Sequence, residues 1–190
     1  MRSRGFSLVE MLVVVAIVMV TAAVSFPIFR PMFADAHLMG AAHMFCAKFR
    51  LARSIAVRRN VYTAIRFEPR GNEIWYSVYQ DGNNNGVLSD DIAAGRDVLV
   101  AGPFPLTTGA ADVRIAINPD TPAPPPDSGL LSGDPIRFGR SDIVSFSPLG
   151  TATPGTLYLA GDSAQAAVRV VGSSARTRLL VWRGGRWTEH

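Results

Sequence analysis

From Phe6 to Val24 the chain runs 19 residues with a single charge, Glu10. At 1.5 Å per residue such a run makes roughly 29 Å of helix, enough to cross the hydrocarbon core of a bilayer. A carboxylate at bilayer depth costs on the order of 3 kcal/mol, so Glu10 needs a partner or a purpose. A short basic leader, Met1-Arg-Ser-Arg-Gly5, stands directly before the run. Two ordinary explanations compete for the segment. A secretory signal cut after Ala23-Val24-Ser25 would have small residues at the right places, but an acid inside its apolar core is unfavourable. A plain single-pass anchor has the right length and leaves Glu10 unexplained.

The order of residues carries more than the length does. Gly5-Phe6-Ser7-Leu8-Val9-Glu10, behind arginines and ahead of an apolar run, resembles the processing site of type IV pilins and the related pseudopilins. The resemblance implies that a membrane prepilin peptidase cuts after Gly5 and that the new terminus, Phe6, is N-methylated. It implies too that Glu10 pairs with the N-terminal amine of a neighbouring subunit, which would supply the missing purpose. Loss of the leader removes Arg2 and Arg4 and takes the formal charge from +4 to +2.

The 190 residues have room for one membrane helix and one modest domain. Beyond the apolar run the chain is mixed, with 16 of the 17 Gly and all 13 Pro supplying turns throughout. Lys48 is the only lysine, so the positive balance is carried by arginine. That balance permits contact with phosphates without requiring it. Cys46 is the only cysteine, which excludes an internal disulfide; between Phe45 and Phe49 on a helical pattern it reads as a buried, inert thiol.

Pro27 and Pro31 are expected to bend the helix after the membrane run. It should resume from about 35 to 59, with Leu38, Ala42, Phe45, Phe49, Ala52 and Ala56 recurring on one face. After Asn60 the period changes to that of strands. Val61–Phe67 and Ile74–Tyr79 flank a turn, and further strands are expected at Val98–Val100, Val113–Ile117, Ile136–Phe138, Ile143–Phe146, Gly155–Leu159, Ala167–Val171 and Arg178–Trp182. Residues 118–133, with Pro124-Pro-Pro126, should form an exposed loop. One long helix followed by many short strands predicts an α+β fold, and about eight short strands leave room for one sheet or two facing ones.

That progression, with Ala52-Arg53-Ser54-Ile-Ala56 leading into a strand and Phe146-Ser-Pro-Leu-Gly150 preceding Gly155-Thr-Leu-Tyr-Leu159, resembles the minor pseudopilin family that includes the H pseudopilin of type II secretion and the FimT minor pilin. The resemblance implies a pilin-like α+β layout: a leader over 1–5, a transmembrane and assembly helix over 6–30, and a periplasmic domain over 31–190. It further implies residence in the bacterial inner membrane, an inner-membrane assembly platform and other pilin or pseudopilin subunits as partners, and a place in a type II secretion or type IV pilus-like machine.

Two other stretches could carry chemistry. Asp81-Gly-Asn83-Asn-Asn85-Gly86-Val87 opens like a calcium loop, with Asp81, Asn83, Asn85 and the Val87 carbonyl as the first oxygen ligands. Ile92 stands where the closing Glu should be, so Asp90 or Asp91 would have to substitute, and no flanking helices are expected. A polar turn with Asn and Gly in left-handed conformations fits the same residues and is preferred, leaving no cofactor required. Towards the end, Arg176 and Arg178 alternate onto one strand face, with Arg183 and Arg186 nearby and Trp182 and Trp187 available to stack. FimT-like relatives contact DNA through a Gly-Arg-x-Arg motif; here the stretch reads Ala175-Arg176-Thr177-Arg178, so DNA uptake is the alternative function, set against a solvated strand. Catalysis finds no footing: His37 and His43 are six apart on the helix, and no nucleophile elbow, phosphate loop or His/Cys metal cluster occurs.

Overall fold

The computed structural model describes residues 7–71, 73–106, 109, 110 and 112–190, and of 24–31 the backbone alone. Among the described residues one helix, α1 (Leu8–Arg59), is followed by nine strands and one short helix. The strands are β1 (Thr63–Arg70), β2 (Glu73–Gln80), β3 (Val98–Pro105), β4 (Ile136–Arg137), β5 (Ile143–Phe146), β6 (Gly155–Ala160), β7 (Gln165–Val171), β8 (Arg176–Arg183) and β9 (Arg186–Glu189), with α2 (Ser89–Ala93) before β3. They form two separate antiparallel sheets, β3-β2-β1-β5 and β4-β6-β7-β8-β9. The fold is α+β, a long N-terminal helix packed on two sheets, and the pilin-like layout is the one observed.

Helix α1 begins where Ser7 caps it: the Ser7 hydroxyl accepts from the Glu10 amide at 3.2 Å while Glu10 Oε2 accepts from the Ser7 amide at 2.8 Å. It ends at Asn60, which takes a left-handed conformation (φ 53°) and donates its amide to Ala56 O. Rather than resuming near residue 35, α1 is one continuous helix of 52 residues through both Pro27 and Pro31. A proline removes one backbone bond and crowds the preceding turn, and in a long helix the bonds on either side hold the segment helical. The predicted stripe is the packed one, with Leu38, Ala42, Phe45, Phe49, Ala52 and Ala56 all buried. Phe49 sits at the centre, its ring 5.6 Å from Phe138 and 6.4 Å from both Phe67 and Phe146, so that the helix and both sheets meet on one side chain.

Each sheet has an inner face towards α1 and an outer face covered by a loop. Leu157, Leu159, Val168, Val170, Leu179 and Val181 of the second sheet join the central core. Its outer residues Tyr158, Ala167 and Leu180 pack with Leu131, Ile117, Ala123 and Trp187. Val113–Ile117, expected as a strand, pairs only through Arg114, which exchanges two backbone bonds with Ala160. The segment leaves the edge because it must cross over this outer face. Residues 118–133 follow it there as an irregular strap, not the fully exposed loop expected, with Thr121 and Leu131 buried. Fully buried Gln165 ties the strap down: its carbonyl accepts from the Asn118 amide at 2.7 Å and its amide nitrogen donates to Ala116 O and Leu159 O. Cys46 is buried in the core, and burial pushes its thiol above the usual range.

Candidate functional site

From Leu8 to Val20 the large apolar side chains of α1 are exposed, about half or more of the surface of each. Glu10 is the only charge of that exposed stretch, and in this structure its carboxylate is spent on the capping bond to Ser7. The Ser-x-x-Glu spacing that makes the cap is legible in the sequence, a signal that reading Glu10 only as a pairing group had missed. Gly5 and Phe6 lie outside the described residues, as does the rest of the leader. Among the described residues no helix is long and apolar enough to cross a membrane. The described part of the run, 8–23, continues into 24–31, whose side chains are not described.

The candidate calcium residues are partly brought together, as a closed turn. Asp81 is buried, and its two oxygens accept from the amides of Asn83 and Asn84 at 2.9 and 2.7 Å and of Gly86 at 2.7 Å. Asp91, also buried, accepts from the side-chain amides of Asn85 and Asn83 and from Arg96 Nε at 2.6 Å. Those hydrogen bonds, led by Asn85 and followed by Arg96 and Asn83, hold its carboxyl below the usual range. Asp97, which the sequence reading passed over, holds the amides of Gly82 and Leu88. Gly82 is obligatory there, because a Cβ would stand 1.9 Å from Arg96 O. Asp90 is exposed, and Val87 turns its side chain into a cluster with Ala64 and Ile143 beneath the loop. The expectation that no helix follows the loop is corrected by α2, which carries Asp91 inward. Among the described residues no group of three His, Cys, Asp or Glu side chains is arranged to hold a metal. A cation here would have to displace loop amides and sit beside Arg96.

The C-terminal arginines lie where alternation puts them, and two of the four, Arg178 and Arg183, are engaged in ion pairs. Arg176 and Arg178 share a face of β8, and Arg178 grips Glu189 with Nε at 2.7 Å and with a second, shorter bond from Nη2. That grip lowers the Glu189 carboxyl. Arg183 pairs with Asp35 of α1 at 2.9 Å. Trp182 and Trp187 face each other across the β8–β9 hairpin at 5.8 Å, and Trp187 donates to Pro122 O of the strap at 3.0 Å. Among the described residues two of the four arginines are taken up by carboxylates and both tryptophans by each other, so the DNA-uptake alternative is left without support. Near Asp35 the structure adds a contact that no local pattern signals: His37 Nδ1 lies 3.0 Å from both oxygens of Asp112. Together the two contacts clamp the turn of α1 at which the helix leaves the domain.

Residues 1–26 match the prokaryotic N-terminal methylation motif. Residues 41–175, well over half of the chain, match the family described as type II transport protein GspH. No curated protein and no solved structure matches. A methylation motif at the head of an exposed apolar helix, joined to a domain that matches over most of its length, identifies the chain as a member of the type II transport protein GspH family, whose members are structural pseudopilin subunits.

Proposed function

We propose that this chain is a minor pseudopilin, cleaved after Gly5 by a prepilin peptidase and methylated at Phe6. It waits in the bacterial inner membrane by the N-terminal half of α1 and is assembled, through that helix and an inner-membrane platform, with other pilin or pseudopilin subunits, its β domain in the periplasm. The observation that carries this reading is the exposed apolar surface of Leu8–Val20, continuous with the rigid helix that organises the domain. Side chains of that size cost about 1.5–3 kcal/mol each to leave in water, so lipid or other helices must cover them. Glu10 then serves twice: it caps the helix in the single subunit and is available to a neighbour's amine on assembly. A carboxylate unpaired inside a helix bundle would be strongly destabilising, which makes it a check on register.

Processing in a bacterium that carries the matching peptidase tests the assignment. Gly5→Ala should stay at the unprocessed mass, and the native chain should lose Met1–Gly5 and gain a methyl group on Phe6. Cleavage of the Gly5→Ala chain at the native position would refute it.

A further inference from the structure

Helix α1 covers only part of the first sheet. It packs on β1 and β5, while β2 and β3 continue the same face beyond it. Register sets Tyr76 opposite Phe104, Val78 opposite Ala101 and Gln80 opposite Val98, so these three rungs share one face. Tyr76 and Val78 pack against the rim of the central core, which makes that face the inner one. Further out, Val98 and Phe104 are 58% and 44% exposed. From α1, Lys48 donates to the Tyr76 hydroxyl at 2.8 Å and Arg59 to Gln80 Oε1 at 3.2 Å, so both reach across β2. Leu51 and Ile55 stand between them at helical spacing, and Leu51 is 57% exposed. The result is a trough with an apolar floor, walled on one side by α1 and rimmed by two cations. Neither cation makes an ion pair among the described residues, and no carboxylate stands on the three rungs.

The trough has the dimensions of one more helix. Four strands at roughly 4.8 Å spacing span about 19 Å, and a helix with its side chains is about 10 Å across, so two helices side by side cover the sheet. From Lys48 to Arg59 the wall is about 17 Å long, and the exposed apolar run Leu8–Val20 is about 18 Å. The one side-chain charge on that run is Glu10, opposite in sign to both rim cations. A neighbour displaced by about 60 Å along a parallel axis brings its residues 8–20 level with 48–59. A fibre that lengthens by displaced subunits supplies such neighbours.

We propose that the trough between α1 and β3 seats the apolar N-terminal helix of a neighbouring pilin-type subunit. Tyr76, Val98 and Phe104 form its floor, and Lys48 and Arg59 face an acid such as Glu10 on the incoming helix. This rests on the reading of α1 as the assembly helix, and the test separates the two.

In a bacterium that assembles the fibre, photoreactive benzoylphenylalanine is placed at one of three positions of the full chain. These are Phe104 in the trough, Leu99 on the opposite face of the same strand, and Val13 in the apolar run. Cross-linked peptides are identified by mass. Position 104 should join a peptide from the apolar N-terminal segment of a processed pilin-type subunit, and position 99 should not. Lys48→Glu with Arg59→Glu should cut that yield about tenfold, because like charges then face each other across the contact. Lys48→Arg with Arg59→Lys should keep most of it. Equal yields at 99 and 104, or an undiminished yield in the charge-reversed chain, overturn the proposal. So does a position 104 that joins a neighbour's β domain, lipid or nothing while position 13 joins the helices of other subunits, and in that case assembly through α1 stands. Failure of both 13 and 104 to join any subunit overturns the assembly reading and the proposal together.

Discussion

Glu10 is asked to do two things that different substitutions can separate. Glu10→Gln keeps a side-chain oxygen that can accept from the Ser7 amide, so the capping box survives while the charge is lost. Glu10→Ala loses both. Both variants should be cleaved after Gly5 like the native chain and should incorporate poorly into assembled fibres, with Glu10→Gln no better than Glu10→Ala. Co-purification with the other pilus subunits would measure this. Incorporation of Glu10→Gln at the native level would mean that the cap, not the charge, is what assembly requires. Gln165 is the second residue whose environment makes a sharp demand. Replacing it with Leu leaves the Asn118 amide and the Ala116 carbonyl without their partner beneath the strap, a loss of about 1–3 kcal/mol per stranded buried group. Thermal unfolding of Gln165→Leu should therefore come several degrees early. An unchanged midpoint would show that the strap readjusts at no cost.

Among the elements, α1 was the most legible, because its packing stripe is written at helical spacing and needs no knowledge of the rest. Leu38, Phe45 and Phe49 were readable as core for that reason, and Phe49→Ala should cost about 3–5 kcal/mol, since it empties the point at which both sheets meet the helix. A denaturant midpoint close to native would deny Phe49 that role. Strands β5 and β6 were legible too, from short apolar runs bounded by turns. The strap was not. Its apolar members Ile117, Ala123 and Leu131 are spaced without a period, because they answer to Tyr158, Ala167 and Leu180 on a strand pair distant in sequence. The ligand-like spacing of the 81–91 loop was legible, but what closes the turn, Asp97 and Arg96, lies beyond any short motif. Calcium at millimolar concentration should accordingly leave the melting temperature where a chelator leaves it. A saturable rise would show that Asp81 and Asp91 can exchange their amide donors for an ion.

For the whole molecule, acid is the condition that exposes how the pieces are fastened. Three carboxylates at separate joints have their pKa lowered by the fold. They are Asp91 in the loop over the first sheet, through Asn85, Arg96 and Asn83; Asp112 at the exit of α1, through His37; and Glu189 on the last hairpin, through Arg178. A depressed pKa contributes stability that is present above the unfolded value, about 4 for carboxylates, and lost as pH falls through the folded value. Asp142 runs the other way: burial, aided by the charge of Asp134, raises its pKa, so its contribution favours the fold at low pH and is lost as pH climbs through the raised value. Three joints against one predict a domain whose melting temperature is steady through neutral pH and falls once the pH drops below about 4. Asp91→Asn tests the first of these fastenings, since it removes the charge beside Arg96 and turns one of the two accepting oxygens into an amide donor. That variant should melt earlier than the native chain at neutral pH, and the gap should narrow as acid protonates Asp91 in the native chain. A gap that stays constant across the acid range would assign the loss to packing around α2 rather than to the charge, and a native chain indifferent to acid would mean that the three joints are weaker than their geometry implies.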